Sequence, residues 1–166
     1  SASGGWQPQC AHDGSGNVGC VYKSAIEPYR VQFRRYNGST NSWGSAIEIS
    51  SATRKQTSPS ISKVGSQYVV GWLDGAVKGL KLYKTGFNPS VAGDFIGVNV
   101  VTDDGWVKSR LSMSQTNNGQ ALLYWQRVFG VNKGGYGQPV LFSQVSPEAS
   151  INPFILYEKL WEEVNP

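Results

Sequence analysis

The sequence predicts an all-β protein made of three four-stranded antiparallel units, and three observations predict it. Charged residues are 16% of the 166-residue chain, below the roughly 25% usual for soluble domains. Glycine (20 residues) and aromatics (12%) are abundant, a composition that disfavours helical bundles, coiled coils and disordered chains. Strand-like segments also recur at a spacing of about 51 residues, the range of a four-stranded β-propeller blade. A β-sandwich with a similar number of strands is the alternative.

Each unit opens on a hairpin. PQCAHDGSGNVGCVY from Pro8, PSISKVGSQYVVGW from Pro59 and LSMSQTNNGQALLYW from Leu111 each place a polar turn between two short strands. Cys10, Ile61 and Met113 correspond, as do Tyr22, Trp72 and Trp125. Trp72 and Trp125 therefore read as core residues. A third strand follows in YRVQFRRYN, GLKLYKTGF and QPVLFSQVS, where Val31/Phe33, Leu80/Leu82 and Val140/Phe142 alternate with polar residues. A fourth is legible in SAIEIS and IGVNVV. In the third unit RVFGVNKGGYGQ reads as a long exposed insertion. The units span about 8–50, 51–101 and 102–150 within a single domain, 1–166. The tail, 151–166, spaces Leu156, Leu160 and Val164 as a helix would.

The pieces SPSISKVGSQYVVGWLDG and RLSMSQTNNGQALLYWQR resemble blade openings of bacterial sialidase-like propellers. RRYNGSTNSWGSAIEIS is similar to their Asp-box turn, with Trp43 at the tryptophan position and Asn37 or Asn41 replacing the aspartate. The resemblance covers about residues 8–146 and implies the fold more than an activity, because lectins, sialidases and interaction scaffolds share it. Three blades do not close a ring. Two copies under a twofold axis would give six, and a partner chain carrying further blades is the other route.

The chemistry-bearing residues are few. The net charge is +4 without a Lys/Arg stripe, so nucleic acid is not expected as a partner. No 18-residue apolar run exists, so no membrane span is expected. His12 is the single histidine and reads as a turn residue, which leaves no multi-histidine metal site and no cofactor. Cys10 and Cys20 would face each other across the first hairpin as a disulfide, although two buried thiols are also compatible. With the opening SASGGW, that pair suggests a secreted chain.

Glycoside hydrolysis needs two carboxylates, and Asp74 and the Asp103–Asp104 pair are the most suggestive, the pair reading more readily as a turn. Arg54 and Arg110 open the second and third units, but no arginine precedes Pro8, so a sialidase site in one chain is not expected. The expectation is therefore a non-enzymatic, lectin-like carbohydrate-binding module. Its loop aromatics would stack on sugar, Trp43 with Asn41, Trp106 with Asp103 and Asp104, and Tyr136 in the insertion. The alternatives are a protein-interaction subunit of a larger assembly and a fragment of a sialidase-like hydrolase.

Overall fold

The computed structural model describes residues 5–50, 56–74, 79–98, 107–115, 121–129 and 132–140. These form three antiparallel sheets in chain order. The first holds β1 (Gly5–His12), β2 (Val18–Ser24) and β3 (Val31–Asn37), and both β4 (Ser42–Trp43) and β5 (Ile47–Glu48) pair with β3. The second runs β6 (Gln56–Val64), β7 (Gln67–Asp74), β8 (Gly79–Gly86) and β9 (Ile96–Val98). The third runs β10 (Val107–Gln115), β11 (Ala121–Phe129) and β12 (Asn132–Val140). No helix among the described residues is long and apolar enough to cross a membrane.

The middle sheet is covered on both faces. Along β7, Tyr68, Val70 and Trp72 join a core with Val21, Val31 and Phe33 of the first sheet. Val69 and Leu73 join the other core, with Leu111, Met113 and Leu123 of the third. This is the period-2 alternation of a strand applied to two cores at once, and it explains why YVVGWL is apolar without a break. A two-sheet sandwich has no such central layer. Gly71 lets the second and third sheets close, since a Cβ there would lie 2.6 Å from Leu82 Cδ2 and 3.1 Å from Leu111 Cδ2.

The first strands of the sheets are neighbours, with β6 packed against both β1 and β10. Each carries a register shift at the same level: between Trp6 and Gln9, between Thr57 and Ser60, and between Ser109 and Leu111. In the first two shifts one extra residue lies opposite Tyr22 or Trp72, and Gln7 (φ 56°) and Ser58 (φ 51°) adopt left-handed backbone. Pro8 and Pro59 follow, in places where a missing N–H costs no ladder bond. The bulges are cross-linked, because the Ser58 N–H donates to Gln7 Oε1 at 3.2 Å. Further along, the Met113 N–H donates to Ser60 Oγ at 2.9 Å. The repeat in the sequence thus marks a backbone irregularity as well as a hydrophobic pattern.

Two expected elements differ. RVFGVNKGGYGQ is no long loop: β11 continues to Phe129 and β12 returns from Asn132, so Gly134, Gly135 and Gly137 lie in the ladder and Tyr136 pairs with Trp125. Glycine tolerates a strand as well as a turn, and composition alone did not separate the two. The edge of the first sheet is also split, since SAIEIS contributes only Ile47–Glu48 and Trp43 stands on its own two-residue strand opposite Tyr36. Residues 151–166 lie outside the described residues.

Candidate functional site

Two regions at opposite ends of the first sheet gather polar and aromatic groups. At the end that holds the bulges, Trp6 is 60% exposed, and Lys23 Nζ lies over its ring at 5.3 Å and over the Tyr29 ring at 4.4 Å. The loop behind them is fixed by Ser24, whose Oγ accepts the Arg30 N–H (2.9 Å) and donates to the Ile26 carbonyl (3.0 Å). The Gln56 N–H donates to the Tyr29 carbonyl, which ties this loop to the start of β6. Asp74 closes β7 directly opposite Gln56, so it stands at this same end of the second sheet, half-buried.

At the other end the Asp13 turn meets the β3–β4 turn. Asp13 Oδ1 accepts the N–H groups of Ser15 (2.6 Å) and Asn17 (3.1 Å), and Oδ2 accepts Asn17 Nδ2 (2.6 Å). Burial alone would raise the Asp13 carboxyl, but these bonds and the Arg35 charge outweigh it and hold it below the usual carboxylate range. The neighbouring Tyr68 phenol is pushed up to about 12, by burial first and then by the Asp13 charge. Asn17 Oδ1 in turn accepts the Gly38 N–H at 3.2 Å. A Cβ on Gly38 would lie 2.1 Å from the Gly16 carbonyl oxygen, so the two turns touch backbone to backbone.

Beside this junction is a cleft of about 320 Å³ between the first sheet and the segment after β8. Arg35, Asn37, Ser42, Trp43, Asn88 and Ser90 give it its polar and aromatic lining. Trp43 remains half-exposed although Tyr36 lies 5.4 Å away ring to ring and Arg34 sits 5.7 Å from its centroid. Asn41, left-handed at φ 50°, accepts a hydrogen bond from the Tyr36 hydroxyl through Oδ1. The far wall is held by Asp94, whose Oδ2 accepts the N–H groups of Ser90 (2.6 Å) and Val91 (3.1 Å).

Of the expected binding residues, the structure brings together Trp43 and Asn41. Trp106, Asp103 and Asp104 lie outside the described residues. Tyr136 stands on β12 and not in a loop, because the hairpin continues through its glycines. Trp72 is buried and stacked on Tyr83, with centroids 4.8 Å apart and planes 8° from parallel. Cys10 and Cys20 are direct cross-strand partners, joined with their Cα atoms 4.1 Å apart. Sequence reasoning missed the Trp6–Lys23–Tyr29 cluster and the Asn88–Ser90 wall. Two of the cluster's aromatics were visible, but the pairing that gathers them was not.

No protein-family model matches the chain, and no curated protein matches it. Solved structures do. A protein assigned as an exo-β-1,3-galactanase from Bifidobacterium bifidum s17 superposes with a TM-score of 0.58 at 8% identity, over 89% of this chain and 50% of that one. The Penicillium chrysogenum α-L-arabinanase, solved with arabinobiose, gives 0.51 at 16% identity, over 82% and 45%. Both are glycoside hydrolases of propeller fold. The chain spans about half the length of these structures. At these identities the likeness establishes the fold, an all-β antiparallel propeller arrangement. It also corrects the reading of a non-enzymatic lectin: the neighbours are hydrolases, and neither is a sialidase.

Proposed function

We propose that this chain is part of a carbohydrate-active enzyme, a propeller-type glycoside hydrolase, and that the bulge end of the sheets is the face that meets the substrate. The observation that carries this reading is the bulge repeated at one level in three adjacent first strands. Bulges re-aim side chains and are over-represented beside active sites, and here they adjoin Asp74, Gln7 and the Trp6–Lys23–Tyr29 cluster. The substrate class is a polysaccharide of the kind the galactanase and arabinanase neighbours are named for, a galactan or an arabinan. Exposed Trp6 offers the apolar face a sugar ring stacks on.

Hydrolysis requires an acid and a base or nucleophile about 5–9.5 Å apart. Asp74 is the carboxylate we assign to one of these roles, with Asp103 and Asp104 as the sequence candidates for the other. Asp13 and Asp94 lie at the opposite end of the sheets, where they accept backbone N–H groups, and Glu48 pairs with Arg30. The remaining blades of the ring would come from a second copy of the chain or from a partner segment, and the Cys10–Cys20 pair favours an extracellular setting. The finer likeness to sialidase-type repeats rests on the two blade openings, from Ser58 and Arg110, and on the Asn37–Trp43 turn.

The test is release of reducing ends from linear arabinan and β-1,3-galactan, with light scattering on the same sample. We expect activity in a species heavier than one chain. Asp74→Asn should lower kcat by about 10²-fold or more, the usual weight of acid–base assistance. An assembled, folded particle that cleaves neither polymer, or a fully active Asp74→Asn variant, would overturn the assignment.

A further inference from the structure

We infer that the cleft between the first and second sheets is a saccharide-binding site for a neutral sugar, placed at the end of the sheets opposite the bulges. Its size falls at the small end of ligand pockets, enough for one or two sugar rings. Its lining combines a half-exposed indole with two asparagines, three serines and one arginine, and no carboxylate is among its described residues. Indole offers an apolar face for sugar C–H groups, while amide and hydroxyl groups both donate to and accept from sugar hydroxyls.

An unsatisfied donor points the same way. Arg35 Nε is buried and has no hydrogen-bond partner among the described residues, and it belongs to a residue of the cleft wall. A buried N–H without an acceptor is costly, and a ligand oxygen would relieve that cost. Arg34, the neighbouring arginine, is used differently: its Nε–H donates to the Gly44 carbonyl at 2.9 Å and its guanidinium rests over Trp43. Arg34 therefore steadies the indole, and Arg35 is left with a donor to give.

The lining favours a neutral ligand. Apart from Arg35 its polar side chains are amides and hydroxyls, which pair with sugar hydroxyls and need no charge on the ligand. A uronate would place its carboxylate among mostly neutral groups, whereas a hydroxyl oxygen suits the amides, the hydroxyls and the Arg35 N–H alike. The walls are also preset. Gly44 N–H donates to the Arg35 carbonyl at 2.8 Å on one side, and Asp94 fixes Ser90 on the other, so little ordering is needed on binding.

The inference shares with the proposed function only that the ligand is a glycan, and its test reads binding without turnover. Arabinobiose, β-1,3-galactobiose and digalacturonate would be titrated by calorimetry, and backbone amide shifts would locate the site. We expect a neutral disaccharide to bind with a Kd on the order of 1 mM and to shift the amides of Asn37, Trp43, Asn88 and Ser90. Trp43→Ala and, separately, Asn88→Ala should each weaken it roughly tenfold or more, and Trp6→Ala should leave those shifts unchanged. Asn88 is exposed, so its variant keeps the test valid if Trp43→Ala unfolds. Tighter, salt-sensitive binding of digalacturonate would overturn the neutral class. Shifts confined to the Trp6 end, or no saturation by any of the three sugars, would overturn the site itself. Loss of hydrolysis with these shifts intact would count against the proposed function and not against the cleft.

Discussion

Trp72 and Trp43 are the same residue type in opposite settings, and the contrast separates framework from surface in this molecule. Trp72 sits on β7 in a sheet covered on both faces, 2% exposed and stacked flat on Tyr83. Trp43 sits on a two-residue strand at the edge of the first sheet, 50% exposed and steadied by Tyr36 and Arg34. The middle sheet has no face left for a ligand. The first sheet's outer edge is divided between β4 and β5, and the chain that links them leaves the cleft beside β3. A propeller layer can thus carry binding groups where its outermost strand is weakest, because there a side chain can face water without opening a core.

The largest way to break the contrast is to truncate the buried member. Trp72→Ala removes a ring that fills the core between the first and second sheets, and it should cost roughly 3–5 kcal/mol of stability. Denaturant unfolding measures it. A loss below about 1 kcal/mol, the cost of an ordinary surface change, would mean that the two tryptophans differ less than their burial says.

Next is the staple on the first sheet. Cys10→Ser with Cys20→Ser opens a loop of sequence separation 10, for which chain entropy predicts a loss of about 3 kcal/mol or less. The change should lower the first sheet's stability without altering the middle sheet. Hydrogen exchange resolved by residue would show protection lost in β1 and β2 before β7. Uniform loss would show the sheets to unfold as one unit.

The third variant sharpens the middle-sheet side. Gly71→Ala places a methyl against Leu82 and Leu111, both in the core shared with the third sheet, and overpacking of this kind costs about 1–3 kcal/mol. A neutral result would require Leu82 to change rotamer and so reveal slack between the second and third sheets.

Much of this framework was legible in the sequence. The spacing of Cys10, Ile61 and Met113 located the first strands, and the alternation in VQFRRYN and GLKLYKTG located the third strands of two sheets. The recurring Tyr22 and Trp72 marked the residue opposite the first two bulges, though periodicity could not show the bulge itself. Two features were not legible for identifiable reasons. Glycine favours loops and tolerates strands equally, so GGYG gave no sign that β12 runs through it. The cleft depends on residues some 45 positions apart, Trp43 and Asn88, and no local pattern reports which loops a sheet-to-sheet packing will bring together. The activity class was not legible either: eleven acids, with Asp103–Asp104 reading as a turn, suggested binding, whereas the solved structures that share the fold are hydrolases.

The smallest expected effect concerns pH, and it tests whether the cleft walls are held as firmly as the middle sheet. Asp13 and Asp94 are both held below their usual carboxylate value of 3.8. For Asp94 the causes are hydrogen bonds from the Ser90 and Val91 N–H groups, and for Asp13 burial opposes but does not cancel the Asn17 and Ser15 bonds. A carboxyl depressed in the folded state contributes its full stabilisation above its unfolded value, near pH 4, and loses it as pH falls through the folded value. Between about pH 5 and pH 8 the cleft should therefore keep its shape, and the amide shifts of Gly38, Ser90 and Val91 should stay constant. Below about pH 4 those amides should move together, ahead of any change in the amides of Val69 and Val70 at the centre of β7. Asp94→Asn should bring the Ser90 and Val91 movement into the neutral range while Gly38 stays fixed. If instead the β7 amides respond first on acidification, the turn end is not the softer part of the molecule, and the division drawn from Trp72 and Trp43 does not extend to its electrostatics.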